Sequence, residues 1–143
     1  MGIIFSRQCE YALQAVSYLA MKFSSGQMTS IKEISKELNI PYHFAGKILQ
    51  KLARKGLLIS QKGISGGFKL ATKPDRITMY DVVEAMDGTE FLLKCVMGFT
   101  KCSSETMCSI HPEWLDIRDK ICKMLKRANF EKVVSDMKKP AFV

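Results

Sequence analysis

The sequence predicts a mainly α-helical chain with one small β-hairpin. Apolar residues recur at intervals of three and four in several segments, which is the spacing of amphipathic helices. Two short apolar runs flank a glycine-rich turn at residues 62–67, a pattern typical of a hairpin. With 143 residues, of which 47% are hydrophobic, the chain has enough apolar surface to bury one core.

The first two helices are predicted from their apolar spacing and their end signals. Residues 7–23 repeat apolar side chains at helical spacing, and the polar stretch 24–27 ends this helix. Ser30 and Glu33 form a capping-box pattern, in which the two residues satisfy each other's unpaired backbone donors at a helix start. The second helix is then expected to end near Leu38.

The third helix follows a turn at residues 39–41. Pro41 suits the first helical position because its missing N–H costs nothing there, and Gly56 is well placed to close the helix after Lys55. Two helices joined by a tight turn, the second with a basic outer face, are typical of a helix-turn-helix. The predicted buried stripe is Ala45, Ile48, Leu49 and Leu52, and the predicted outward residues are Tyr42, His43, Lys47, Gln50, Lys51 and Arg54.

The hairpin, with strands over residues 57–61 and 68–71, is predicted to be the wing of a winged helix-turn-helix. Its position after the third helix and the flanking Lys62 and Lys69 favour contact with a DNA backbone over the role of an ordinary surface hairpin. The third helix is expected to enter the major groove amino end first. That orientation directs Tyr42, His43 and Lys47 to base edges, and it directs Lys51, Arg54, Lys62 and Lys69 to phosphates, with Gln50 on the same outer face.

The distribution of charge supports this surface. The chain has a net charge of +8, and residues 1–74 hold 11 basic against three acidic residues, whereas residues 75–143 hold 11 of each. All of the excess positive charge therefore lies with the predicted helix-turn-helix. Such a concentration is typical of a surface that binds a polyanion, although a basic surface that only aids solubility is the alternative.

Two more helices are predicted in the second half. Thr78 and Asp81 resemble a capping box that starts a fourth helix, which ends at Asp87-Gly88. Pro112 opens a final helix over residues 112–129, and its long apolar stripe predicts packing on a second copy of the chain, on the first helix, or on both. The stripe comprises Trp114, Ile117, Ile121, Met124 and Ala128, widened by Leu115, Cys122 and Leu125.

The five cysteines are an odd number, and with no sign of secretion they favour metal or redox roles over a disulfide framework. Between the last two helices the chain reads Cys95-x6-Cys102-x5-Cys108-x2-His111. Thiolates and imidazole ligate iron and zinc, and this wide spacing suits an iron-sulfur cluster better than structural zinc. In the alternative interpretation His111 only caps the last helix. Cys9 and Cys122 lie on apolar helix faces and are expected to be buried as small hydrophobic residues.

Taken together, these features resemble the Rrf2 family of bacterial regulators. The resemblance covers nearly the whole chain and rests on the order of elements, the segment 40–49, the wing 62–68, the Asp87-Gly88 turn and the cysteine loop. It implies a homodimeric transcription factor, often a repressor, that binds a pseudo-palindromic operator in double-stranded DNA. It also implies a [2Fe-2S] or [4Fe-4S] centre that senses iron, nitric oxide, oxidants or cluster supply.

The same resemblance implies a ligand set. Cys95, Cys102 and Cys108 would be the cysteine ligands, and His111 stands where some members have a histidine ligand. Glu10 is a rival fourth ligand, because other members use a carboxylate at that place on the first helix. Glu10 is otherwise a solvated acid stabilised by the helix dipole. Gly46 stands where some members have a base-reading acid, so their operator preference does not transfer.

The sequence thus divides into a DNA-binding head, residues 1–74, and a second part, residues 75–143, with the cluster loop 91–111 and the dimerisation helix 112–129. No apolar run approaches the roughly 18 residues of a membrane span, and the start lacks the layout of a signal peptide, so we expect a cytoplasmic protein. The loop is accompanied by no convergent acid, base or nucleophile, which argues against a zinc enzyme. A cluster-free regulator controlled by its thiols or by a partner is the remaining alternative.

Overall fold

The computed structural model describes residues 4–99 and 108–137. In these residues the chain is mainly helical with one two-stranded antiparallel sheet, as predicted. The elements in chain order are α1 (Arg7–Met21), α2 (Ile31–Leu38), α3 (Tyr42–Arg54), β1 (Leu58–Gln61), β2 (Gly67–Leu70), α4 (Met79–Asp87), α5 (His111–Arg127) and α6 (Phe130–Ser135).

Helix α1 lies at the centre of the fold. It packs against α3, α4 and α6, and its residues 15–20 are all buried. Ser17, the one polar residue in that stretch, donates its hydroxyl to the Leu13 carbonyl at 2.8 Å, so its burial leaves no unpaired donor. The helix ends at Met21, two residues earlier than predicted, and Phe23 lies exposed in a short 3-10 turn.

Helices α2 and α3 form the helix-turn-helix. The chain reverses through Asn39, whose φ of 53° is left-handed, and Pro41 caps α3 instead of occupying its first turn. All four predicted stripe residues of α3 are buried: Ala45, Ile48, Leu49 and Leu52.

Only half of the predicted capping box at α2 is present. The Ser30 hydroxyl accepts the Glu33 N–H at 3.1 Å, as expected. The Glu33 carboxylate does not return to Ser30, because it accepts hydrogen bonds from Tyr18 Oη and Lys22 Nζ on α1. These partners hold the pKa of Glu33 below its ordinary value, with the Lys22 hydrogen bond as the main cause.

The wing pairs β1 with β2 in the register Leu58↔Leu70 to Gln61↔Gly67. Backbone hydrogen bonds of 2.9 and 2.8 Å also join Thr29 to Phe68, so Thr29, just before the Ser30 cap of α2, extends the sheet. Gly67 permits this contact, because it has a φ of 142° and a Cβ there would clash with the Thr29 carbonyl. The wing is therefore fixed to the helix-turn-helix at its base.

The second half differs from the predicted single final helix. Thr78 and Asp81 form the complete capping box at α4, as predicted. Helix α5 begins at His111 and ends at Arg127, because Ala128 takes an extended backbone and Asn129 caps a new helix, α6. Ala128 is thus a break in the chain direction and not the last residue of the α5 stripe.

One hydrophobic core joins both halves of the chain. It includes residues of α1, α3 and the wing together with Val82, Val83, Leu125 and Phe130 from α4, α5 and α6. The DNA-binding head and the second part therefore share a core. Across the two described stretches, 4–99 and 108–137, no helix has the length and apolar character needed to cross a membrane.

Candidate functional site

The outer face of α3 presents the polar residues that the sequence predicts. Tyr42 is 60% exposed, and His43, Lys47, Gln50 and Arg54 are also exposed. They lie on the face opposite the buried stripe of the same helix, so one side of α3 holds it in the core while the other is open to a ligand. This is the arrangement that a recognition helix requires.

The structure adds two residues to this surface that were not predicted from the sequence. Phe44 is exposed, and its ring centroid lies 4.7 Å from that of His43. Gln8, at the start of α1, lines a groove of about 250 Å³ together with Phe44, Lys47 and Arg54 of α3. The position of Phe44 three residues before Lys47 is the helical spacing that would have identified it.

Lys51 differs from the other predicted contacts. Its side chain is half-buried, and its Nζ donates to the Met86 carbonyl in the last turn of α4 at 3.1 Å. A cation is favoured there because the carbonyl groups at a helix end carry partial negative charge. Lys51 thus joins α3 to α4, and its predicted phosphate contact must compete with this hydrogen bond.

The two wing lysines occupy different places. Lys62 is exposed in the turn between the strands. Lys69 is half-buried opposite Ile59 and lines a groove of about 380 Å³ at the wing base, together with Lys22 and Lys73. Lys62 is therefore the wing residue more open to a backbone phosphate.

The first candidate ligand, Cys95, lies in a tight turn after α4. Its side chain is buried, with 8% exposure, and the Met97 N–H donates to Cys95 Sγ at 3.3 Å. The Gly98 N–H donates to the Cys95 carbonyl at 3.0 Å, and Gly98 has a φ of 83°. A cysteine sulfur that accepts a backbone N–H suits a cluster ligand, since such hydrogen bonds stabilise sulfur that bears negative charge.

The far end of the loop brings two more candidates to the start of α5. Cys108 is half-buried, and its carbonyl accepts the His111 N–H at 3.1 Å. His111 is the first residue of α5 and is 5% exposed. The residue at the cap position of this helix is Ile110, so the alternative in which His111 caps the helix is wrong. Cys102 lies outside the described residues.

The described donors are thiols and an imidazole, which are the soft ligand types that iron-sulfur centres take. In the part of the chain that the structure describes, no three His, Cys, Asp or Glu side chains gather into a metal site. The structure therefore does not bring Cys95, Cys108 and His111 together as one ligand set. What fits a cluster is the chemistry of these side chains and the burial of Cys95 and His111.

The rival ligand Glu10 is half-buried on α1, and the start of that helix is joined to the segment leading to Cys95. Asp87, at the end of α4, accepts the Ser6 N–H at 2.9 Å, and the Ser6 hydroxyl caps α1. The Phe5 ring packs edge-on against Phe91 with centroids 5.9 Å apart. The amino end of α1 thus contacts the second half of the chain.

The remaining cysteines are not alike. Cys9 is fully buried in the core, as predicted, and burial raises the pKa of its thiol to about 12, with further contributions from the carboxylates of Asp87 and Glu10. The prediction that Cys122 is buried is wrong for the single chain. It is half-buried beside an open groove that Leu92, Leu115 and Arg118 also line.

The raised pKa of Cys9 predicts a loss of stability at alkaline pH. An unfolded thiol titrates near 8.5, so deprotonation favours the unfolded chain above that pH, and the thiol's contribution is lost progressively as pH rises toward about 12. Between about pH 7.5 and 10 we expect this thiol to account for a fall of roughly 2 kcal/mol in the free energy of unfolding.

Urea unfolding at the two pH values measures this fall. The Cys9→Ala variant should lose less stability than the parent protein, and Cys122→Ala, at a half-exposed thiol, should lose as much as the parent. If Cys9→Ala and the parent lose stability in parallel, Cys9 is not the group that titrates.

Helix α5 uses only part of its apolar stripe within the chain. Leu125 is fully buried and Ile121 packs against the core, whereas Leu115, Ile117 and Met124 are exposed. This end of α5 packs mainly against α4, and not on the first helix as predicted. The rest of the stripe is an apolar surface on which a partner could pack.

Comparison with known proteins identifies relatives along the whole chain. The Rrf2 family, described as an iron-dependent transcriptional regulator, matches residues 5–136. A relative in Aquifex aeolicus that carries the name of an HTH-type transcriptional regulator is 31% identical over 98% of this chain and 97% of its own. IscR of Aliivibrio salmonicida is 29% identical over 88% of this chain and 74% of that protein.

Among solved structures, CymR of B. subtilis, named as that organism's global cysteine regulator, superimposes with a TM-score of 0.79. The two are 25% identical, and the match covers 94% of this chain and 98% of that one. The relatives are transcriptional regulators and not enzymes, in agreement with the sequence analysis. Because the family match spans nearly the whole chain and includes the helix-turn-helix, the chain belongs to the Rrf2 family of DNA-binding transcriptional regulators.

Proposed function

We propose that this protein is a homodimeric, cytoplasmic repressor that senses iron, redox state or nitric oxide through an iron-sulfur cluster. Cys95, Cys102 and Cys108 would hold the cluster, as [2Fe-2S] or [4Fe-4S]. The observation that carries this proposal is the Cys95 turn, in which a buried sulfur accepts the Met97 N–H. The family's description as iron-dependent supports it.

The fourth ligand is His111 or Glu10. We favour His111, because it is buried at the end of the same loop, three residues after Cys108. A histidine on iron is titratable and would make the centre sensitive to pH. Glu10 would tie the centre to α1, and across a dimer it could come from the partner subunit.

The DNA-binding surface comprises the outer face of α3 and the wing. Tyr42, His43 and Lys47 would contact base edges, with Gln50 beside them, while Arg54, Lys62, Lys69 and Lys51 would contact phosphates. Two such heads in a dimer would bind a pseudo-palindromic operator, because the symmetry of the protein is repeated in the site. The exposed Leu115, Ile117 and Met124 of α5 support packing between the two copies.

The loop would control the spacing of the two heads through α5. A bound cluster supplies an iron centre that oxidants, nitric oxide or chelators can alter. Ligation of Cys95 and Cys108 to one centre would tie the Cys95 turn to the residues just before α5, which begins at His111. Loss of these bonds would change the placement of α5 and hence the affinity for the operator.

An anaerobic absorption spectrum, with iron and acid-labile sulfide counted per chain, tests this proposal. We expect visible absorption from the cluster in the parent protein and its loss in Cys108→Ser. Cys122→Ser is the matched control, because it makes the same change at a half-buried cysteine outside the loop, and it should retain the colour. A colourless parent protein, or equal iron in the parent and Cys108→Ser, would contradict the proposal.

A cluster-free regulator controlled by its thiols or by a partner is the second candidate. The fold similarity to CymR, a cysteine regulator by name, favours it. It predicts colourless protein after anaerobic purification whose operator binding still changes when its thiols are oxidised.

A further inference from the structure

One backbone carbonyl next to Cys95 is bound by two side chains of α5. Trp114 Nε1 donates to the Lys94 carbonyl oxygen at 2.9 Å, and Arg118 Nη1 approaches the same oxygen at 3.4 Å. The two donors are four residues apart, which places them one above the other on a helix face. They join α5 to the residue that precedes Cys95.

The side chains that follow Cys95 in this turn lie outside the hydrophobic core. Val96, Met97 and Phe99 are all exposed, Met97 by 65%. Between the turn and α5 lies a groove of about 410 Å³, lined by Cys95, Trp114 and Arg118 among others. The hydrogen bonds from Trp114 and Arg118 to the Lys94 carbonyl join this turn to α5 beside that groove.

We propose that Trp114 and Arg118 are positioning residues that fix the Cys95 turn against α5. This proposal rests on the proposed function, in which Cys95 is a cluster ligand. The position of that ligand would then depend directly on α5. The indole N–H and the guanidinium both point at one acceptor, so a movement of the turn breaks both bonds at once. A change at Cys95 is thereby transmitted to α5 close to its start, independently of the path through Cys108 and His111.

Alkylation of the cluster-free protein, with each cysteine followed by mass spectrometry, tests the positioning role. A buried thiol reacts through local opening of its turn, so losing one hydrogen bond should raise the rate at Cys95 roughly fivefold. We expect that rise in Trp114→Phe, which keeps an aromatic ring but removes the indole donor, and in Arg118→Gln. Arg127→Gln, at an exposed position on the same helix, is the matched control and should react like the parent.

The rates at Cys108 and Cys122 separate positioning from general loosening. The proposal holds if Cys95 alone reacts faster. It is overturned if Cys95 reacts at the parent rate, or if all three cysteines accelerate equally. In the anaerobic holoprotein the same variants should lose visible circular dichroism faster under a chelator. A colourless protein with faster Cys95 alkylation would reject the cluster and keep the positioning role.

Discussion

Replacing Phe130 with alanine is expected to lower the free energy of unfolding by about 3–5 kcal/mol, the usual range for this change in a core. Phe130 is 1% exposed, and its backbone N–H donates to the Ile77 carbonyl at 2.9 Å. It is the first residue of α6, which packs against α1. Removing the ring leaves a cavity where the two halves of the chain meet. Urea unfolding followed by far-ultraviolet circular dichroism measures the effect.

Tyr42→Ala is a suitable control for that experiment. It removes an aromatic ring of similar size from the exposed first residue of α3, and surface changes of this kind shift stability by no more than about 0.5 kcal/mol. An equally small loss in Phe130→Ala would show that α6 is not part of the core. Such a result would also mean that α6 does not hold the chain beyond α5 against α1.

Elements whose conformation depends on residues close together in the sequence could be predicted. The buried stripe of α3 is predicted by the spacing of its apolar residues. The capping box of α4 is predicted by Thr78 and Asp81, which lie three positions apart. The glycine-rich turn predicts the hairpin because few other residues accept the φ of Gly67. In each case the relevant residues lie within one or two turns of chain.

Contacts between distant segments could not be predicted in this way. The Glu33 carboxylate binds Lys22 and Tyr18, although its local pattern favours Ser30. Helix α6 is too short for a clear periodic signal, yet the cap at Asn129 followed by Phe130 would have indicated its start. Tertiary packing decided these cases, since it determines which partners a side chain can reach.

The candidate metal loop also has features that could be predicted from the sequence and contacts that could not. Residue type and spacing identify Cys95, Cys108 and His111, and the burial of Cys95 and His111 agrees with a ligand role. The contact of Trp114 with the Lys94 carbonyl has no sequence signal, because it depends on how α5 packs beside the loop. Chemistry that resides in side-chain types is therefore visible in the sequence, whereas the residues that position it are not.

Removing two positive charges from the DNA-binding surface is expected to weaken operator binding steeply at low salt. Arg54 on α3 and Lys62 in the wing turn are both exposed, and both are predicted to contact phosphates. Each neutralised phosphate adds about 0.9 to the slope of log affinity against log salt. The Arg54→Ala/Lys62→Ala variant should therefore lose about 1.8 from the slope per head, which is on the order of 60-fold in affinity at about 0.1 M salt.

The Lys120→Ala/Lys123→Ala variant makes the same change in net charge at a place away from this surface. Both lysines are exposed on α5, where they pair with Asp116 and Asp119 at 3.1 and 3.0 Å. Exposed pairs of this kind contribute little to stability, so the variant should fold and bind operator with the parent's salt slope. Fluorescence anisotropy of labelled operator DNA at several salt concentrations measures both variants. If both double variants lost the same affinity and the same salt slope, affinity would follow net charge alone. The assignment of α3 and the wing as the contact surface would then be wrong.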